Sequence, residues 1–129
     1  MPTFDDVAEL ALALPGTSER VSRGDRQWVV AKRLFVWERP LRRSDHEALG
    51  DAAPDGPILG ARVEHVGAKE ALIADDPDVY FTTPHFDGYP AILIQLDRIS
   101  DDQLREAVVE AWLNRAQKRA VQAYLESAR

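Results

Sequence analysis

Residues 80–96, with the sequence YFTTPHFDGYPAILIQL, constrain the fold more than any other part of the chain. Pro84 and Pro90 each hold the preceding residue in an extended conformation, and the Asp-Gly pair between them favours a turn. Residues 91–96 form a short apolar run with branched side chains, which is typical of a buried β-strand. The stretch therefore predicts a rigid loop at residues 85–89 beside a core strand.

The composition is that of a soluble folded protein. The 129 residues match the size of one ordinary domain, and 45% hydrophobic with 29% charged residues excludes a disordered chain. Cysteine is absent, which excludes disulfides, thiolate catalysis and cysteine-ligated zinc or iron–sulfur centres. Neither a membrane-spanning apolar run nor a signal pattern occurs, so we expect a single cytoplasmic domain, residues 1–129, without membrane contact.

Helical and strand-like patterns follow one another in an order that predicts an α+β fold. Helices are predicted at residues 3–14 and 68–74, from Ser100 onward, and around residues 121–125, and strands at residues 27–31, 34–38, 58–63, 79–82 and 91–96. Thr3 with Asp6 and Ser100 with Gln103 have the spacing of capping boxes. Two polar segments remain: residues 17–25 predict a loop or weak edge strand, and residues 40–57 a flexible loop. This order indicates an antiparallel sheet covered by N- and C-terminal helices.

Two strands at residues 27–31 and 34–38 predict a β-hairpin with Lys32 and Arg33 in the turn. The pair lacks the Asn-Gly or Gly-X chemistry of tight turns, so the turn type stays open. Gly60 predicts a bulge in the strand that contains it, and Asn114 a bend between the last two helices.

Four segments match one family in order along nearly the whole chain: LALPG at residues 12–16, the Trp/Val/Phe hairpin at 28–37, FTTPHFDGYPA at 81–91 and EAW at 110–112. With these segments the chain resembles the MmcQ/YjbR family, and the third is the most specific. The resemblance implies a frataxin-like (CyaY-like) α+β fold, described as a double-wing module. It also implies DNA binding through the sheet hairpins.

Two positions depart from the family pattern. Lys32 and Arg33 stand where the family often has Gly-Lys, which keeps the basic character and loses the glycine. Residues 116–118 read Ala-Gln-Lys where the family often has Ala-Pro-Lys. Without that proline, the two terminal helices are free to run together.

The charge distribution places a basic segment on an acidic chain. The net charge is −6, which is unfavourable for a nucleic-acid-binding protein, but residues 19–43 carry eight cations against three acids. The resemblance and the charge together predict nucleic-acid contact by Lys32, Arg33, Arg42, Arg43, His85, Lys118 and Arg119. Trp28, Trp37 or Phe86 would supply the exposed aromatic ring that single-strand binding needs. The alternative is that the cations are solvated and both tryptophans lie in the core.

His85 and Asp87 are spaced so that both side chains can point to the same side of an extended segment. A histidine–carboxylate pair suits a general base or part of a metal site. The alternative is that His85 hydrogen-bonds the loop and that Asp87 forms a turn with Gly88.

Known catalytic signatures do not occur in the sequence. It has no glycine-rich phosphate loop, no serine-nucleophile motif and no HExxH, and the acids of the first helix are too few for a metal ridge. We therefore predict no catalytic residue, no metal site and no cofactor. The predicted function is non-enzymatic DNA binding, and the alternative is a protein-interaction or small-ligand-binding module that uses residues 85–89.

Overall fold

The computed structural model describes residues 2–127. It confirms the α+β prediction: helices cover one antiparallel sheet whose strand order is β1-β2-β3-β4-β6-β5. The strands are β1 Thr17–Ser22, β2 Asp25–Val30, β3 Arg33–Glu38, β4 Ile58–Arg62, β5 Tyr80–Phe81 and β6 Ala91–Gln95. The helices are α1 Phe4–Leu12, α2 Arg43–Leu49, α3 Val66–Asp75, α4 Asp101–Arg115 and α5 Lys118–Ser127.

Both predicted capping boxes are present. The Thr3 hydroxyl accepts a hydrogen bond from the Asp6 amide at 3.3 Å, and the Asp6 carboxylate accepts one from the Thr3 amide at 2.7 Å. Ser100 and Gln103 exchange the equivalent bonds, both at 3.1 Å. Each box satisfies two amides that a helix N-terminus leaves without an intrahelical partner, which fixes where α1 and α4 begin.

The main core lies between the sheet and the helices α1 and α4. Val108, Ala111 and Trp112 of α4 are fully buried, as are Val7 and Ala11 of α1. The Trp112 indole N–H donates to the Pro15 carbonyl, which follows α1 in the chain and lies 3.0 Å away. This layer buries one side of α4 and closes one face of the sheet.

The strand irregularity lies in β3 and not at Gly60. Trp28 of β2 pairs with Val36, and the next β2 residue pairs with Leu34, so Phe35 is the extra residue of a β-bulge. Gly60 instead keeps regular pairing with Trp37 on one side. A Cβ atom at Gly60 would collide with the Trp37 ring, so the glycine serves close packing.

The hairpin turn is Ala31-Lys32, one residue earlier than predicted. Both residues have positive φ angles, 50° and 64°, as a type I′ turn requires. Arg33 is therefore the first residue of β3 and is not part of the turn. Neither Ala nor Lys favours this conformation, so the turn depends on the pairing of its two strands.

Residues 40–57 are not a flexible loop, because they contain α2 and a 3-10 turn, Gly50–Ala52. The Asp45 carboxylate accepts a hydrogen bond of 2.8 Å from the Arg42 amide, which caps α2. Asp45 is also paired with buried Arg39, so the segment is anchored by charge more than by apolar contacts. The short, polar sequence gives little periodic signal for this helix.

The two terminal helices do not run together. Ala116 is extended, with ψ at 157°, and its amide donates to the carbonyl of Trp112 as the last bond of α4. The chain then turns so that Tyr124 of α5 packs on Trp112, with ring centroids 5.1 Å apart. The packing of Tyr124 on Trp112 explains why α4 and α5 are separate helices although no proline stands between them.

None of the helices described over residues 2–127 combines the length and the apolarity needed to cross a bilayer.

Candidate anion-binding cleft

The second face of the sheet carries its own smaller apolar cluster. Its buried members are Trp37, Ile58, Phe86, Ala91 and Leu93. The loop at residues 83–90 covers part of this face and leaves a cleft of about 640 Å³ beside it. We call this cavity the face cleft. Trp37 of the sheet forms its floor, and Phe86 of the loop forms part of one wall.

The covering loop is a 3-10 turn followed by a type II β-turn. Pro84–Phe86 forms the first, after Thr83 in an extended conformation. Asp87 then has φ −58° and ψ 129°, Gly88 has φ 73°, and the Tyr89 amide donates to the Phe86 carbonyl at 3.0 Å. The third position of such a turn needs a positive φ, which glycine supplies without strain. Asp87 and Gly88 therefore form a turn, as the alternative interpretation of this segment held.

A buried lysine holds this loop from behind. Lys69 of α3 is 4% exposed, and its ammonium donates to the carbonyls of Phe86 at 2.7 Å and Tyr89 at 3.3 Å. Burial lowers the pKa of Lys69, while the charges of Asp87 and Glu70 oppose that shift. The bonds span the type II turn, so Lys69 fixes the cleft wall without lining the cleft.

A buried ion pair supports the other side of the cleft. Arg39 Nη2 lies 3.0 Å from Asp45 Oδ2, and both side chains are almost fully buried. The Arg39 guanidinium also lies over the Phe86 ring, 5.2 Å from its centroid. Burial raises the pKa of Asp45, but the Arg42 amide and the Arg39 charge outweigh it and hold that pKa below its usual value.

One end of the cleft is cationic. Arg62, at the end of β4, donates from Nε to the Pro90 carbonyl at 3.1 Å and from Nη1 to the Tyr89 hydroxyl at 2.9 Å. Its guanidinium lies 4.8 Å from the centroid of the Tyr89 ring. Tyr89 is 45% exposed and lines the cleft. We call Arg62, Tyr89 and Arg115 the cationic end.

Arg115, the last residue of α4, completes this end. Its Nε is buried and meets no hydrogen-bond acceptor among residues 2–127. Burial lowers the pKa of Arg115, and the nearby charges of Arg62 and Arg33 lower it further, while Tyr89 opposes the shift. Arg33 lies close because its Nη1 donates to the Arg115 carbonyl at 3.5 Å, at the negative end of α4.

The lining of the face cleft is rich in cations. Its arginines are Arg23, Arg39, Arg42, Arg62 and Arg115, and its acids are Asp25, Glu38 and Asp87. Ion pairs within 4.0 Å in the described chain involve Arg26, Arg39 and Arg43, and leave the cationic end without a carboxylate partner. The arrangement therefore favours an anion.

The structure separates the predicted contact residues between the face cleft, a second groove and exposed surfaces outside both. His85 and Arg42 line the face cleft. Arg33 and Lys118 instead line a shallow groove between β3 and the α4–α5 junction. Arg43 pairs with Glu47 at 3.3 Å on an exposed helix surface. The remaining two, Lys32 and Arg119, are exposed and line neither cavity.

His85 and Asp87 do not form a hydrogen-bonded pair. The His85 ring packs edge-on against Phe86, with centroids 4.8 Å apart and an angle of 87° between the planes. Within residues 2–127 no group of three or more histidine and carboxylate side chains is placed to hold a metal ion. The pair therefore presents its two side chains separately beside the cleft.

The aromatic rings proposed for stacking are buried. Trp28 is fully buried, and Trp37 and Phe86 are 8% and 7% exposed. The two tryptophans therefore belong to the core, as the alternative interpretation held. Tyr89, in contrast, is 45% exposed.

Sequence reasoning missed Arg62, Arg115 and Lys69. Arg62 has a usable signal, because it follows Ile58 and Gly60 at every second position of β4 and so shares their face. Arg115 looks like an ordinary cation in the last turn of a helix. Lys69 has no distinguishing signal, because a single lysine in a short helix is normally solvated.

Comparisons with known proteins agree with the family resemblance. A family model described as YjbR matches residues 12–114. The uncharacterised proteins Rv2570 of Mycobacterium tuberculosis and Mb2600 of Mycobacterium bovis are each 52% identical over 128 residues, or 97% of both chains. The Deinococcus radiodurans protein DR2400, with a DUF419 domain, matches 88% of this chain and 78% of its own with a TM-score of 0.66 and 18% identity. That structural likeness shows the shared fold.

Proposed function

Because the chain belongs to the YjbR family, whose fold leaves one sheet face partly open here, we propose that it is a single-domain, non-catalytic binding module. Its ligand is anionic and lies in the face cleft. The observation that carries this proposal is the pair of guanidinium groups, Arg62 and Arg115, at one end of the cleft without a carboxylate partner among the described residues.

The size and rigidity of the cleft support a small ligand. A volume of about 640 Å³ falls within the range of roughly 300–1,000 Å³ that is usual for small-molecule sites. The loop wall is held by Lys69 and the opposite side by the pair of Arg39 and Asp45. A preformed wall favours affinity because little conformational entropy is lost on binding.

A binding role is favoured over catalysis by the state of His85. A general base needs a partner that orients its ring, and His85 packs on Phe86 without a hydrogen bond to Asp87. Arginine side chains make up most of the charged lining, and they bind anions at neutral pH without exchanging protons.

The test is an NMR titration with succinate and with adenosine monophosphate, and uncharged adenosine serves as the control ligand. We expect an anion to shift resonances of the cleft residues, with an affinity that falls as salt increases. Arg62→Gln should weaken binding about tenfold or more, since it removes a charge-assisted contact. The matched control Arg43→Gln, outside the cleft, should bind normally. If neither anion shifts the cleft resonances at millimolar concentration, the proposal is wrong.

Nucleic-acid binding is a second candidate, favoured by the groove beside the face cleft. Its lining includes Arg33 and Lys118 and no carboxylate, and Lys32 is exposed on the adjoining turn. Such a groove can track a phosphate backbone. Two facts weigh against it: the net charge is −6, and the Arg33 guanidinium already contacts the C-terminal carbonyl of α4.

Fluorescence anisotropy with single- and double-stranded DNA at two salt concentrations tests this candidate. Binding that falls with salt, and that weakens in a Lys32→Ala/Arg33→Ala variant and not in Arg43→Ala, would support contact through the hairpin. Absence of binding at low salt, or equal loss in the Arg43→Ala control, would exclude the hairpin as the contact surface.

A further inference from the structure

We propose that the cationic end of the face cleft, Arg62 with Tyr89 and Arg115, is a subsite for the dianionic phosphate group of a phosphate monoester. This inference rests on the proposed function, since it assumes that the cleft takes an anion. It specifies the chemical class of the anion and the part of the cleft that binds its charged group.

Arg62 is already oriented for such a group. Its Nε and Nη1 atoms are held by the Pro90 carbonyl at 3.1 Å and the Tyr89 hydroxyl at 2.9 Å. These bonds fix the plane of the guanidinium and leave Nη2 free to donate to a ligand. Because the Tyr89 oxygen accepts from Arg62, its own proton is available to donate to a phosphate oxygen.

Arg115 supplies the second guanidinium. Its Nε is buried without a hydrogen-bond acceptor in the described chain, which is an unfavourable state for a charged group. The residue also lines the cleft beside Arg62 and Tyr89, so an anion bound there would offset its charge. Arg33 adds a third positive charge close by, although its guanidinium faces the α4 carbonyl.

The charge count favours a dianion over a carboxylate. Two guanidinium groups meet at this end, a third lies near, and no ion pair within 4.0 Å neutralises any of them in residues 2–127. A phosphate monoester carries about −1.5 to −2 at pH 7 and presents three acceptor oxygens, whereas a carboxylate carries one charge and two oxygens. Arginine forks match phosphate geometry in two-point contacts.

Two sources can present this chemistry: a small phosphorylated metabolite, or the terminal phosphate of a nucleic-acid strand. Both end in a monoester phosphate, whereas the internal linkages of a nucleic acid are monoanionic diesters. A subsite built for a monoester therefore distinguishes a strand end from its interior. The two sources are separated below by competition.

The experiment measures the affinities of three probes that differ in their charged group: phenyl phosphate, benzenesulfonate and benzoate, at pH 7.5. We expect phenyl phosphate to bind at least about tenfold more tightly than the other two, with its resonance shifts centred on Arg62, Tyr89 and Arg115. Arg115→Gln and Arg62→Gln should remove this preference, and Arg62→Lys should keep part of it. Circular dichroism checks that each variant is folded.

Other outcomes separate the two proposals. Equal binding of the three probes in the cleft would overturn the phosphate subsite and leave the anionic cleft standing. No binding of any probe would overturn both.

Competition then assigns the source. Displacement of phenyl phosphate by a 5′-phosphorylated oligonucleotide and not by its 5′-hydroxyl form supports the subsite and identifies a strand end. If neither strand displaces phenyl phosphate, the subsite is supported and its ligand is a small phosphorylated molecule. Equal displacement by both strands would contradict a monoester site, because internal diesters would then be sufficient.

Discussion

The Lys69 ammonium group donates a 2.7 Å hydrogen bond to the Phe86 carbonyl, and both residues are buried. A second bond, 3.3 Å long, reaches the Tyr89 carbonyl. One side chain of α3 thereby adds a second donor to the first and last carbonyls of the type II turn. The wall of the face cleft is therefore held by a residue that does not line the cleft.

Lys69→Met should lower the free energy of unfolding by about 1–3 kcal/mol at pH 7, because two hydrogen bonds from a charged donor are lost while each carbonyl keeps only its backbone donor. Methionine keeps most of the volume, so the change isolates the ammonium group. Urea denaturation measures the difference. Lys118→Met, which replaces an exposed lysine, should be within about 0.5 kcal/mol of the wild type. Equal stability of Lys69→Met and the wild type would show that the turn does not need this donor.

The contribution of Lys69 to stability should rise with pH. Burial, opposed by Asp87 and Glu70, lowers the pKa of Lys69 in the folded protein below its unfolded value. Between those two values the unfolded chain binds more protons, so stability increases with pH. We expect the stability difference between wild type and Lys69→Met to grow in the alkaline range below about pH 10.4, the unfolded value. A difference that shrinks there would mean that the charged form is favoured in the fold.

Local patterns predicted the parts of the fold that local forces determine. The caps at Thr3 and Ser100 satisfy amides three residues away. The apolar sequence of β6 is enough by itself to predict that this strand is buried. Lys69 and Arg115 could not be found this way, because their contacts span 17 and 82 residues of sequence. The cleft depends on such long-range contacts, so the sequence indicated the loop and not the cationic end.

The helix α2 was missed for a related reason. Its residues are polar and its flanks contain prolines and glycines, so its pattern is that of a loop. What holds it is the pairing of Asp45 with Arg39 and with the Arg42 amide. An ion pair between a strand end and a helix leaves no periodic trace in the sequence.

Asp45→Ala should therefore lower the free energy of unfolding by about 3–5 kcal/mol, because it leaves the buried Arg39 charge uncompensated. Urea denaturation of the single and double variants measures this. Arg39→Met/Asp45→Ala should recover a large part of the loss, since the double variant buries no charge. If the double variant is less stable than Asp45→Ala alone, the Arg39 charge is not what makes the single variant unstable.

Gly60→Ala should cost about 1–3 kcal/mol of stability, because the new methyl group collides with the Trp37 ring that floors the cleft. Denaturation measures the loss, and the Trp37 indole resonance should shift while that of Trp112, in the other core layer, stays in place. An unchanged Trp37 resonance together with wild-type stability would mean that the floor can move freely.

Lys32→Gly should stabilise the protein by about 1 kcal/mol, because Lys32 has a φ of 64° and glycine adopts that region without the steric penalty of a side chain. Thermal denaturation checks the gain. Lys32→Ala is the matched control: it removes the same charge but keeps the Cβ, so its stability should stay near that of the wild type. If the two variants gain equally, relief of charge repulsion explains the effect. If only the glycine variant gains stability, the gain comes from relief of strain in the left-handed turn. Both variants lack the Lys32 charge, so measuring their DNA affinities shows the effect of losing that charge in a strained turn and in an unstrained one.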